Sequence, residues 1–217
     1  MKSSGQVRPR QGRSAPKLPE YMPGAPTIVR PRPNKNGVIV AHGVSLIGEE
    51  PAPWVCVVTG LESASKNTKT GKMLQSWIIR TDIDPTIALN TGADDAICGD
   101  CIHRKRKYAH DGKIVGTCYV KTFQAPRTVY TCFQDGGYKE ATKKDLKLIR
   151  SHKVRIGSYG DPGLVPLRAL LALIPKNKRD RTGYTQRWRQ RPDLRPYVMA
   201  SVTSHKDRLE AESLGWR

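Results

Sequence analysis

The 217-residue chain carries 38 lysines and arginines against 19 aspartates and glutamates, a net charge of +19, with 37% hydrophobic residues. That length and apolar content suit one sizeable domain with an appendage, and the lack of any run of about 18 apolar residues argues against a transmembrane helix. The basic start of the chain lacks the apolar core of a secretory signal, and its five cysteines are an odd number. A reducing, cytoplasmic setting is therefore expected, with thiols used for metal and not for a disulfide framework.

The charge is unevenly spread. Residues 1–36 carry a net +7, 37–100 a net −4, 101–150 a net +8 and 151–217 a net +8. An excess confined to an arm and to everything after residue 100 describes a surface that faces a polyanion, so nucleic acid, DNA or RNA, is the expected partner. A membrane surface is not, because no stretch joins an amphipathic helical face to dense basic residues.

Residues 1–36 hold seven prolines, Pro9 to Pro33, among Arg, Lys, Ser and Gly. This composition buries too little apolar area to offset ordering entropy, so the segment reads as a disordered basic arm. From residue 37 a single α/β domain is expected to run to residue 217. GVIVAHGVSLIG, WVCVVTG and MLQSWIIR are β-branched runs bounded by Gly and Pro and read as strands. Cys56, inside WVCVV, reads as a small core residue. The polar loop LESASKNTKTGK places Lys66, Lys69 and Lys72 at the surface. DPTIALNTGA reads as a short helix capped by Asp84, opened by Pro85 and closed by Gly92.

The segment 97–120, ICGDCIHRKRKYAHDGKIVGTCYV, is a cysteine loop. Cys98 and Cys101 form a C-x2-C turn, Cys118 follows after sixteen intervening residues, and Cys132 after thirteen more. Such a turn presents two thiolates to one metal in both zinc and iron–sulfur sites. Zinc needs a fourth ligand, for which His103, His110 and Cys132 are candidates, although Cys132 on an apolar background reads rather as core. A four-iron cluster on three thiols leaves one iron open to a small molecule. The adjacent Arg104, Lys105, Arg106 and Lys107 suit either thiolate stabilisation or phosphate contact.

Beyond the loop, helices are expected over TFQAPRTVYTCFQDGG, DLKLIRSH, LVPLRALLALI and, capped by Ser204, SHKDRLEAESLGW. Strands are expected at VRIGS, TGYTQRW and YVMASV. This alternation predicts a parallel sheet. Ligands bind at the carboxyl ends of such strands, where Gly157 to Asp161, Tyr184, Thr185, Gln186 and Ser201 would gather. Asp161 before Pro162 reads equally as a helix cap. Arg187, Arg189, Arg191 and Arg195 interleave with Tyr184 and Trp188, a mixture that suits single-stranded nucleic acid as well as a solvated loop over buried rings.

In order, SKNTKTGK, CGDC, CYV, VRIGSYGDP, TGYTQRW and VMASV resemble a group of bacteriophage and prophage proteins, distantly similar to the phage gene-product-88 family, over residues 57–217. That group is in turn similar to a reduced radical S-adenosylmethionine barrel. The resemblance implies a partial (β/α) barrel, an iron–sulfur cluster on Cys98, Cys101 and Cys118 with Tyr119 as the following aromatic, and a cofactor, S-adenosylmethionine, at Gly160, Asp161 and Pro162. The spacing here differs from the C-x3-C-x2-C of such enzymes. Relatives often continue past the equivalent of Gly215 to Arg217 into another cysteine-bearing segment, so a part of the site is expected there.

Three readings follow. The first is a phage-type protein of DNA metabolism or replication. Its phosphate contacts would be Lys66, Lys69, Lys72, Arg104, Lys105, Arg106, Lys107, Arg187 and Arg189, with zinc or an iron–sulfur cluster on the three cysteines. The second is an enzyme modifying nucleic acid or a nucleotide, with Asp161, Tyr184 and Gln186 as catalytic candidates. The third is a structural or host-interaction protein working through its arm.

Overall fold

The computed structural model of the protein describes residues 34–48, 50–63, 71–107 and 114–217. The first β-branched runs form β1 (Gly37–Ser45), β2 (Ala52–Thr59) and β3 (Leu74–Arg80). Val55, Cys56, Val57 and Val58 are consecutive in β2 and all buried. Because successive strand side chains point to opposite faces, both faces of the sheet are covered here. Cys56 is accordingly a core residue, and burial pushes its thiol up to about 12.

Asp84 accepts the backbone N–H groups of Thr86 and Ile87 to cap α1 (Pro85–Thr91), and Gly92 ends that helix in the left-handed conformation. A single-turn α2 (Asp95–Cys98) follows, then a hairpin of β4 (Arg106–Lys107) and β5 (Ile114–Val115). Next come α3 (Ala125–Gln134), β6 (Lys139–Glu140), α4 (Lys143–Arg150) and β7 (Val154–Tyr159). The chain closes with α5 (Leu167–Leu173), β8 (Arg181–Thr185), β9 (Met199–Ala200) and α6 (His205–Ser213), which Ser204 caps.

Seven strands make one sheet in the order β6-β1-β2-β3-β7-β8-β9. Four of its six pairings are parallel, and the β1–β2–β3 meander is antiparallel. The fold is therefore α/β, but the expectation of a uniformly parallel sheet needs correction. Residues 46–51 alone join β1 to β2, too short a link for the crossover that a parallel pair requires. The sheet is also open, with β6 and β9 at opposite edges, and does not close into a barrel. Val38, Leu74, Ile79, Ile149, Ile156, Leu170, Trp188 and Leu194 are fully buried in one core, each contributing roughly 1.5–3 kcal/mol by leaving water.

The basic arm lies outside the described residues up to position 33, but its last three residues belong to the fold. The Asn34 backbone N–H donates to Gly137 O at 2.6 Å, and the Asn36 carbonyl accepts from Gly60 and Leu61. The Asn36 side chain accepts from Glu62 and Ser63. Among the described residues no helix is long and apolar enough to cross a membrane.

Candidate functional site

The sixteen residues between Cys101 and Cys118 are spanned by the β4–β5 hairpin, in which Arg106 faces Val115 and Lys107 faces Ile114. The same antiparallel register continues outward to place Cys118 opposite His103, whose carbonyl accepts the Cys118 N–H at 2.9 Å. A third thiol thus returns to the C-x2-C turn by way of ordinary hairpin pairing. Cys98 closes α2, and the Asp161 N–H donates to Ile97 O at 2.7 Å, which ties this turn to the end of β7.

Together these links build one cavity of about 370 Å³. It is lined by Cys98, Cys101 and Cys118 from the loop, Arg155 to Asp161 from β7, and Tyr184, Gln186 and Ser201 from the ends of β8 and β9. Gly160, Asp161, Tyr184 and Gln186, far apart in sequence from the thiols, therefore share a cavity with them. Cys132 does not: it lies on α3, where its sulfur accepts from the Asn34 side chain at 3.3 Å. Of the other two candidates for a fourth ligand, His103 lines the cavity with its Nδ1 2.7 Å from Thr117 Oγ1, and His110 lies outside the described residues.

β7 reaches the cavity through a bulge. Gln75 pairs with Arg155 and Trp77 with Tyr159, so β7 carries extra residues opposite Ser76. The Ser76 hydroxyl accepts the Gly157 N–H at 2.9 Å, and Gly157 sits at φ +69°. Gly160, at φ +79°, lies so close to Ile78 that a Cβ would be 2.6 Å from that side chain. Packing and backbone conformation thus account for the glycine at 160 without a cofactor.

Asp161 is a positioning residue in this arrangement. Its Oδ1 accepts the Gly163 N–H and the Thr185 hydroxyl, each at 2.6 Å, and its Oδ2 accepts the Gln186 N–H at 2.7 Å. These donors fasten the end of β7 to the end of β8. Burial raises the Asp161 carboxyl above its ordinary range, while the same donors pull it back. With both oxygens engaged, the carboxylate caps the 3-10 turn Pro162–Leu164, the cap that the sequence allowed.

Burial dominates the electrostatics of the Cys98 and Cys101 thiols. Burial first, then the neighbouring Asp94, Cys101, Asp161 and Cys118, pushes the Cys98 thiol well up. Burial also raises Cys101, against which the backbone N–H groups of His103 and Arg104 are hydrogen-bonded to its sulfur and lower it. Tyr159 is 3% exposed, and its hydroxyl has no hydrogen-bond partner among the described residues. Burial and the adjacent Cys98, Asp94 and Cys118 keep that hydroxyl protonated and hence a donor. A thiophilic ion or cluster on Cys98, Cys101 and Cys118 would offset the cost of ionising these buried thiols, and the N–H groups of His103 and Arg104 already stand against the Cys101 sulfur. Among the described residues, however, no three His, Cys, Asp or Glu side chains are already grouped as ligands of one ion.

Several expected phosphate contacts are committed elsewhere. Arg104 is turned inward: Nε and Nη2 donate to Asp94 Oδ1 at 2.9 and 2.7 Å, Nη1 to Gly99 O at 2.8 Å and Nη2 to Gly92 O at 2.5 Å. It is a clamp for the cysteine turn and not a surface cation. Arg189 stacks 3.8 Å over the Trp188 ring and pairs with Asp207 and Glu210, while Arg187 pairs with Asp100 at 3.2 Å. Trp188 is only 2% exposed, which removes it as a stacking platform. Lys105 Nζ donates to Asn90 Oδ1, and Lys72 is exposed beside β3. Lys66 and Lys69, and the side chains of Arg106 and Lys107, lie outside the described residues.

Two participants escape a reading of the sequence. Asp94 has no motif around it, yet it is 1% exposed and anchors Arg104. Arg155 stands in a plain strand pattern, yet it donates to the Tyr119 hydroxyl at 2.9 Å at the cavity. An arginine in an otherwise apolar run, VRIGS, is the one signal that points to it. Compared with known protein families, curated proteins and solved structures, the chain matches none.

Proposed function

We propose that this is a phage-type, cytoplasmic protein of nucleic-acid metabolism in which Cys98, Cys101 and Cys118 hold a metal ion or iron–sulfur cluster beside a substrate cavity. One observation carries the reading: three thiols, two from the C-x2-C turn and one from the segment after β5, share their cavity with the polar ends of three parallel strands. A purely structural zinc site closes its tetrahedron within protein, whereas these sulfurs adjoin open space. The charge of +19 supplies the partner, since so basic a chain, with Lys72 exposed beside β3, attracts phosphate.

A second reading, an enzyme similar to the radical S-adenosylmethionine group acting on nucleic acid or a nucleotide, draws on the same cavity. Three thiols leave a four-iron cluster one iron open, and 370 Å³ of adjoining space accepts a small molecule. The likeness to an incomplete barrel rests on the parallel run β3-β7-β8-β9, of which β7, β8 and β9 border that space.

The partner is tested by oligonucleotide binding as a function of salt. Each phosphate contact releases counterions, so the logarithm of the binding constant is expected to fall linearly with the logarithm of salt, by roughly 0.7–0.9 per contact. Binding that ignores salt, or none at low salt, contradicts the nucleic-acid reading.

A further inference from the structure

We infer that the cavity beside the thiols receives an unstacked nucleobase, with Tyr119 and Tyr184 as its stacking surfaces. The inference rests on the nucleic-acid reading above and names the group that enters the site. Both rings line the cavity, and both are exposed, Tyr119 by 74% and Tyr184 by 56%. Aromatic rings stabilise a fold by burial, so two left open around one cavity add little to the core.

Tyr119 is nevertheless held in place. Arg155 donates to its hydroxyl at 2.9 Å and sets its guanidinium 5.9 Å from the ring centroid. An exposed ring fixed in this way is organised for a partner before the partner arrives, which lowers the entropy cost of binding. The same guanidinium brings positive charge to the cavity, next to where the phosphate of a stacked nucleotide would lie.

The polar groups suit a base edge. The Gln186 amide N–H donates to Ser201 Oγ at 2.7 Å, and this pair borders the cavity at the ends of β8 and β9. An amide and a hydroxyl offer both donor and acceptor atoms, which is the chemistry that reads the edge of a base. Aromatic faces, an arginine and an amide together match no part of a plain aliphatic ligand, and a phosphate alone leaves both rings unused. A base within a duplex is stacked on both sides, so the ligand is single-stranded or extruded.

The test compares two single strands of equal length and phosphate count, one ordinary and one abasic, by fluorescence anisotropy at several salt concentrations. Stacking contributes about five-fold or more in affinity per base, so the ordinary strand is expected to bind at least that much tighter. Tyr184→Leu removes the π face at an exposed position and is expected to bring the ratio close to one while the salt slope stays the same. Tyr184→Phe keeps the face and is expected to keep the ratio, and Tyr119→Leu is expected to reduce it. If both strands bind equally with a steep salt slope, or if the ratio survives in both leucine variants, the nucleobase site is overturned while the phosphate-binding reading stands. If neither strand binds at low salt, that reading falls and the nucleobase site falls with it.

Discussion

Replacing Arg104 with alanine is expected to destabilise the protein by about 3–5 kcal/mol, the usual cost of stripping one partner from a buried ion pair. The Asp94 side chain is 2% exposed and that of Arg104 12%, so solvent replaces little of what is lost. Three anchor points, Gly92 O, Asp94 and Gly99 O, are released together, and the cysteine turn between them loses its clamp. The loss also depends on pH. Burial already holds the Asp94 carboxyl above its ordinary range despite Arg104, and removing the guanidinium raises it further. A carboxyl raised in the folded state destabilises the fold where it is ionised and ceases to do so once protonated. The deficit is therefore greatest at neutral pH and narrows as pH falls toward the ordinary carboxylate range. Denaturant unfolding of both proteins at several pH values measures it, and a deficit that is small, or constant with pH, contradicts the clamp.

Asp161→Ala is expected to cost about 3–4 kcal/mol, because it strands the buried Gly163 N–H and Thr185 hydroxyl and the partly buried Gln186 N–H. Asp161→Asn separates the hydrogen-bonding role from volume. An amide oxygen at the Oδ1 position still serves Gly163 and Thr185, but an NH2 group then faces the Gln186 N–H. A smaller loss, about 1–3 kcal/mol, follows from that one unmade bond. Thermal unfolding of the two variants is expected to give this order, and equal stability of Asp161→Ala and the parent would show that the carboxylate does not fasten β7 to β8.

These two residues mark where a reading of the sequence succeeds and where it stops. Strands at WVCVVTG and VRIGS, the helix capped by Asp84 and the helix capped by Ser204 follow from patterns within a few residues, and the fold bears them out. Asp161 was legible as a cap because the Pro that follows it marks a helix start. Arg104 was not, because RKRK presents four cations that are alike along the chain, and only the position of Asp94, ten residues earlier, singles one of them out. Trp188 likewise sits among arginines, yet tertiary packing buries it. The hairpin that returns Cys118 has strands of two residues each, too short to leave a periodic trace. The cavity itself depends on a bulge at Gly157 and on parallel pairing of β7, β8 and β9, which are long-range contacts without a local signature.

Anaerobic purification followed by metal analysis bears most directly on whether the three sulfurs converge. The protein is expected to carry iron or zinc in fixed proportion to chain, brown if iron–sulfur and colourless if zinc. Replacing Cys98, Cys101 or Cys118 singly with serine is expected to lose most of that metal, whereas Cys132→Ser retains it. A protein that binds neither metal, or one that keeps its metal when all three loop cysteines are serine, contradicts the account.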